Sequence, residues 1–163
     1  MGVHILEREQ LLKVDITAAW AFFSTPRNLR SITPSSMRFS IHGAFDDRPA
    51  HNGQLITYNV RPLFGIPVKW VTRIEEVVPT QQFADTQLQG PFKRWRHLHR
   101  FEAVHGGTLM HDHVEYELPL GALGELAHRL VVRAKIEDIF TYRERVLPGL
   151  VPRMKAAGLQ EVV

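Results

Sequence analysis

The chain contains no cysteine. That excludes a disulfide framework, a cysteine-ligated zinc or iron–sulfur site, and a thiol nucleophile. Long apolar runs are also missing. No segment of the 163 residues reaches membrane-spanning length. The opening MGVHILEREQLLKV places Glu7, Arg8 and Glu9 where a signal peptide needs its apolar stretch. Charge of one sign is scarce too: Lys plus Arg number 20 against 17 for Asp plus Glu, a net charge of +3. So small an excess does not demand nucleic acid or an anionic membrane as partner. Without a Gly-x-Gly-x-x-Gly or phosphate loop no nucleotide cofactor is expected, and no Gly-x-Ser-x-Gly supplies a nucleophile. Repeats, low-complexity tracts and linkers are absent, so residues 1–163 read as one domain with an expected cytoplasmic location. At 44% hydrophobic and 23% charged, the composition supports a real core. What the chain has in abundance is histidine: nine in all, five of them from His97 to His113.

The patterning predicts an α+β order. Val3 to Val14 reads as a strand, and Asp15 or Thr17 can cap a short helix carrying Trp20, Phe22 and Phe23. Pro26 suits the first turn of a second short helix, which Thr33-Pro34 stops. Breakers at Asp46-Asp47, Asn52-Gly53, Pro62, Gly65-Ile66-Pro67, Pro79, Gly90-Pro91 and Gly106-Gly107 then separate short β-branched and aromatic runs. Those runs, Met37–Gly43, Gln54–Arg61, Val68–Val78, Phe83–Leu88, Trp95–Val104 and Thr108–Leu118, predict an antiparallel meander. After Gly121 the period changes. Leu123, Leu126, Ala127, Leu130, Val131 and Ala134 follow helical spacing, then Ile136, Ile139, Phe140, Val146 and Leu147 on a drifted stripe. Pro148 should kink this helix or start a second. The sheet buries one face, and this helix is the element large enough to cover it.

A Gly106-Gly107 turn would set His105 opposite Thr108, Arg100 opposite His113, Phe101 opposite Asp112 and His97 opposite Tyr116. Trp95, His97, His99, Phe101, Asp112, Val114 and Tyr116 then share the apolar inner face, while Arg96, Arg100, His111, His113 and Glu117 face out. On the inner face His99 and Asp112 lie on a diagonal, close enough for an imidazole–carboxylate contact. Polar groups in that position need partners or water, and a cavity with a few convergent polar groups would choose this lining. The other reading is an internal network that only fixes register.

The order of elements, together with Pro79-Thr80-Gln81-Gln82-Phe83-Ala84-Asp85-Thr86-Gln87, Gly90-Pro91-Phe92 and Trp95-Arg96-His97-Leu98-His99-Arg100-Phe101, resembles the helix-grip superfamily. So do Asp112-His113-Val114-Glu115-Tyr116, Leu118-Pro119-Leu120-Gly121 and Ile139-Phe140-Thr141-Tyr142-Arg143. That superfamily includes START lipid-transfer domains, the birch-pollen allergen fold and polyketide aromatase/cyclases; within it the chain resembles the small bacterial SRPBCC ligand-binding group related to polyketide cyclase/dehydrase-like proteins. The resemblance covers essentially the whole chain. It implies a curved antiparallel sheet of about seven strands around a long C-terminal helix, two short helices after strand 1, and a hydrophobic ligand between sheet and helix. The residues then expected to meet the ligand are Tyr58, Trp70, Phe83, Gln87, Trp95, His97, His99, Phe101, Asp112, Tyr116, Phe140 and Arg143. It implies no cofactor and no metal.

Three uses of such a domain follow. The first is to hold a small hydrophobic or lipid-like molecule, without nucleic acid and without stable membrane insertion, any self-association being a homodimer. In the second, His97, His99 and Asp112 would be the catalytic residues of a cofactor-independent cyclase, dehydratase or isomerase, with Tyr116 or Tyr58 donating to an enolate oxygen. The third is a protein-interaction module whose cavity is vestigial. His97-x-His99 with Asp112 has the donor types of a two-His, one-carboxylate metal set, but strand alternation makes same-face pairs automatically, and no metal is expected. The basic string Lys93 to Arg100 reads as a solvated sheet face, not an RNA surface.

Overall fold

The computed structural model describes residues 2–43, 46–62 and 65–160. Seven strands, β1 (His4–Leu12), β2 (Ser40–Ile41), β3 (Leu55–Val60), β4 (Val68–Val78), β5 (Gln82–Gln89), β6 (Arg94–Val104) and β7 (Gly107–Glu117), form one antiparallel sheet. Its order is β1-β7-β6-β5-β4-β3-β2, so the first strand closes the edge beside the last. Between β1 and β2 lie α1 (Ile16–Phe23) and two 3₁₀ turns, Pro26–Ile32 and Ser35–Met37. After β7 come α2 (Gly121–Ala127), a π-helical turn (His128–Val132) and α3 (Arg133–Gln160). Among the described residues no helix is long and apolar enough to cross a membrane.

Asp15 is the cap of α1: the Ala18 amide donates to Asp15 Oδ1 at 2.9 Å. Its sequence, ITAAWAFF, is apolar around nearly the whole circumference, which suits a helix buried on both sides. Trp20 meets Phe83 and Phe101 of the sheet edge-on, at centroid distances of 5.8 and 6.0 Å. On the other side Ala18 faces Gly158 of α3, where a Cβ would stand 2.9 Å from the Ala18 Cα. Glycine is what lets the two helices approach so closely.

Along α3 the buried line is Ile136, Phe140, Arg143, Leu147 and Met154, spaced as one helix face. Leu147 and Met154 join the core under α1; Ile136 and Phe140 join a second apolar cluster with Leu6, Val114, Tyr116 and Val132. The seam between the clusters is where the polar residues sit. Pro148 neither ends this helix nor opens a new one, because α3 runs through both Pro148 and Pro152. Proline removes the amide that would donate to the carbonyl four residues back. Here that carbonyl, Glu144, accepts from the Gln10 amide nitrogen of β1 at 2.9 Å.

Three expectations need correction. The β6–β7 turn is His105-Gly106, with Val104 opposite Gly107 and His99 opposite Asp112. Gly107 belongs to the strand because β1 crosses it so closely that a Cβ would stand 2.0 Å from the Leu12 carbonyl oxygen. The slip is two residues, so every side chain keeps its face. Second, the Met37–Gly43 strand shrinks to Ser40–Ile41, since Ser35–Met37 is a 3₁₀ turn and Arg38 adopts φ 45°. Third, the leucine stripe of α2 and the π turn faces out: Leu123 is 71% exposed and Leu130 71%. Gly124 docks instead, a Cβ there falling 2.0 Å from the Pro119 carbonyl oxygen, and the π turn then shifts the buried face through His128 and Val132.

The outer face of the sheet carries a network of exposed polar and charged contacts. Arg96 Nη2 donates to both Glu76 oxygens at 2.8 Å, Lys93 meets Glu117 at 2.6 Å, and His113 and His111 meet Glu7 and Glu9 at 2.9 Å. Those cations of the Lys93–Arg100 string are thus already paired, each pair contributing on the order of 0–1 kcal/mol.

Replacing Gln10 by leucine keeps the volume but strands the Glu144 carbonyl. Chemical denaturation should show a loss of about 1–2 kcal/mol, whereas Gln10→Leu in a background carrying Pro148→Ala should lose clearly less.

Candidate functional site

The inner face of β5, β6 and β7 brings Asp85, His97, His99 and Asp112 together because the ladder pairs Asp85 with His97 and His99 with Asp112. Arg143 descends from α3 onto the same group. His97 Nε2 donates to Asp112 Oδ1 at 2.7 Å, and its Nδ1 lies 3.4 Å from Asp85 Oδ2. His99 Nε2 donates to Asp85 Oδ2 at 3.2 Å, while its Nδ1 stands 3.1 Å from Asp112 Oδ1, off the hydrogen-bonding direction. Trp95 Nε1 donates to the other Asp85 oxygen at 3.3 Å. The imidazole rings lie 3.8 Å apart.

Charge decides the protonation. Two buried carboxylates and one guanidinium leave room for one imidazolium, and a neutral cluster is the cheapest to bury. The environments pick which. Burial and the neighbouring His99 charge hold His97 below the ordinary imidazole value, outweighing the pull of Asp112. Burial also opposes charge on His99, but its contacts with Asp112 and Asp85 together raise it. Asp112 is desolvated, yet the two histidines and then Arg143 hold it well below the usual carboxylate range. Asp85 is likewise lowered, against its desolvation, by His99 and His97. His97 is therefore neutral with its proton on Nε2, toward the short Asp112 contact, which leaves Nδ1 as an unprotonated nitrogen. Burial, then the Asp85 charge, raise the Tyr58 phenol well above its ordinary value, so it stays a neutral donor.

A cavity of about 160 Å³ opens between this cluster and α1, α3 and the Pro26–Ile32 turn. Of the sequence-derived ligand residues, Tyr58, Trp70, Phe83, Trp95, His97, His99, Phe140 and Arg143 line it. Four do not. Gln87 instead ties the β5–β6 turn, donating to the Phe92 carbonyl at 2.7 Å. Phe101 is core beneath Trp20 and Phe23. Asp112 lies behind the two histidines, 3% exposed, and acts on the cavity only through them and Arg143. Tyr116 sits toward α2, its hydroxyl 2.9 Å from His128 Nε2. An outer groove of about 820 Å³ shares Met37, Trp70, Trp95, Ile136 and Ile139 with the cavity as a common wall.

Arg143 is the group the local structure leaves unfinished. It is 6% exposed, stacks over Phe140 at 4.9 Å and faces Asp112 at 3.5 Å, yet its Nε and Nη1 have no hydrogen-bond partner. Trp70 Nε1 is a second buried donor without one. Buried unsatisfied donors are rare and mark a missing acceptor. Sequence reading missed Asp85, although Phe83 and Asp85 alternate onto the same strand face as any half-buried strand requires.

The His99 proton stabilises the fold fully below the unfolded value near 6.5, and the contribution is lost as pH rises through the raised folded value. Imidazole ¹³C–¹H titrations should show His99 losing its proton above 6.5 and His97 gaining one only below it; the reverse order would undo the assignment. In His99→Gln the fall in stability on the alkaline side should disappear.

The model of the family described as polyketide cyclase/dehydrase and lipid transport matches residues 13–140. No curated protein matches the chain. Among solved structures, the Zhui aromatase/cyclase from Streptomyces sp. R1128 superposes with a TM-score of 0.72 at 14% identity, over 93% of this chain and 95% of that one. A Chromobacterium violaceum protein gives 0.69 at 12% identity, over 90% and 96%. The ginseng major latex-like protein 151 from Panax ginseng gives 0.65 at 14% identity, over 90% and 96%. These likenesses establish the fold, a helix-grip sheet closed by its C-terminal helix. With the family model spanning most of its length, the chain belongs to the polyketide cyclase/dehydrase and lipid transport family.

Proposed function

We propose that the protein binds a small amphipathic molecule, its flat apolar body among Tyr58, Trp70, Phe83, Trp95 and Phe140 and an oxygen acceptor at Arg143. The observation that carries this is the buried guanidinium on the cavity wall whose Nε and Nη1 make no hydrogen bond, Nη1 meeting only the Asp112 charge at 3.5 Å. An unsatisfied buried donor costs about 1–3 kcal/mol, more when charged, and a carbonyl, phenolate or carboxylate from a ligand would offset it. The chamber of about 160 Å³ is smaller than the roughly 300–1,000 Å³ of most ligand pockets. A ligand of usual size would continue past Trp70, Trp95, Ile136 and Ile139 into the outer groove. Charge balance with Asp112 accounts for a buried Arg143, but a vestigial cavity offers no acceptor for its Nε, which speaks against the interaction-module reading.

The neutral His97 supports a second reading, acid–base catalysis. Its Nδ1 carries a lone pair, Asp112 fixes the tautomer through Nε2, and His99 and Arg143 supply positive charge where an enolate oxygen would develop. His97 Nδ1 would take a proton from the carbon beside a carbonyl and return it to the alkoxide formed on cyclisation, or to the hydroxyl that leaves as water.

Calorimetric titration with 2-naphthoate and its neutral methyl ester tests the binding reading. Arg143→Met should weaken 2-naphthoate about 10–100-fold, the loss of a charge-assisted hydrogen bond, and the ester about threefold or less; equal losses would remove Arg143 from recognition. Trp95→Ala should weaken both compounds alike through lost apolar contact, at about 25 cal/mol per Å².

For the catalytic reading, a linear poly-β-ketone analogue is the substrate. His97→Gln should bind it as the unaltered protein does while kcat falls by about 10²–10⁴-fold. If the unaltered protein binds the analogue and never converts it, the cavity is a carrier's.

A further inference from the structure

A second histidine cluster lies outside the cavity, where the start of β1 meets α2. His4 stacks on His128 with centroids 3.5 Å apart and planes inclined 17°. His4 Nε2 is 3.3 Å from Glu125 Oε2 and is buried without a hydrogen-bond partner. One ligand atom each from His4, Glu125 and His128 falls within a common span of 4.8 Å. His128, 7% exposed, is the first residue of the π-helical turn His128–Val132, and such turns recur at functional sites. Tyr116 takes up His128 Nε2 at 2.9 Å, the kind of outer contact that orients a metal-bound imidazole.

We propose that His4, His128 and Glu125 bind a divalent transition-metal ion, zinc by donor type, with Tyr116 orienting His128. Two imidazoles and one carboxylate are a known zinc set that leaves a fourth position open. The 3.3 Å between His4 Nε2 and Glu125 Oε2 is the edge of a tetrahedron with metal–ligand bonds of about 2.0–2.1 Å, and the two stacked rings would swing apart so that both in-plane lone pairs meet the ion. His128 would ligate through the nitrogen left free of Tyr116. The other group with metal-ligand spacing among the described residues, Asp85 with His97 and His99, is the poorer site. Every histidine nitrogen there already lies within 3.4 Å of a carboxylate oxygen, and Arg143 adds a cation 3.5 Å from Asp112. An ion at the outer cluster would fasten the first strand to α2, whose Gly124 and Ala127 form a wall of the outer groove. The bound ion would thus act as a clasp on the groove and leave the cavity chemistry untouched.

Calorimetric titration of the tag-free, metal-stripped chain with zinc sulfate should give one ion per chain. Tyr116→Phe should weaken binding about tenfold, and His4→Gln, Glu125→Gln or His128→Gln about 10–100-fold. His113→Gln and His99→Gln should leave it unchanged. At a zinc concentration about 100 times the dissociation constant, Tm should rise by roughly 5–10 °C in the unaltered protein and not in Glu125→Gln. One equivalent of zinc should also shift the His4 and His128 imidazole resonances of the unaltered protein alone among its histidines, a readout that needs no variant to fold. No stoichiometric binding, or shifts centred on His97 and His99 or on His111 and His113, would overturn the proposal.

Discussion

Everything inside this molecule is arranged around one electrostatic constraint: two carboxylates buried on the concave face of a sheet must be neutralised without water. Asp85 and Asp112 are held ionised by two histidines and Arg143, of which only one histidine needs to carry charge. That requirement fixes the ladder, because Asp85 must stand opposite His97 and Asp112 opposite His99. It also fixes the rotation of α3, which must present Arg143 on the face that carries Ile136, Phe140 and Leu147. The two apolar clusters pack on either side of this seam. Apolar burial supplies the driving force, whereas the polar seam specifies how sheet and helix meet.

The same constraint splits the histidines into different chemical species. Identical side chains two residues apart on one strand differ because Asp85 and Asp112 grip His99 more effectively than His97, and the charge on His99 then suppresses a second. A neutral imidazole with a fixed tautomer and a cation sit side by side on one wall. A carrier uses such a wall to orient a polar headgroup; an enzyme uses it to move a proton. The description of the family names both kinds of protein, cyclase/dehydrase and lipid transport.

How much could be read from residues alone follows from parity. Strand faces have period two, so a hairpin misread by two residues still sorted Trp95, His97, His99 and Asp112 inward, although their partners were wrong. The slip itself came from treating Gly107 as a turn residue; its reason for being glycine is the Leu12 carbonyl, from a strand nearly a hundred residues earlier. The leucines of α2 misled for a related cause. Apolar spacing points a helix by its large side chains, and this helix docks by the absence of one, at Gly124. Asp85 is legible by alternation along β5, whereas its pairing with His97 is set by the β5–β6 register, which no local pattern encodes. The His4–His128 pair joins the first strand to the π-helical turn ahead of α3, a contact that belongs to topology.

The proline in the middle of α3 ties the two ends of the chain into one cooperative unit. Its freed carbonyl is satisfied by a side chain 134 residues away, on the edge strand laid down first in sequence. The Glu144 carbonyl has this partner only while β1 lies in its place at the sheet edge. Loosening of the N-terminal strand therefore reaches the helix that roofs the cavity, through a contact made at the opposite end of the sequence.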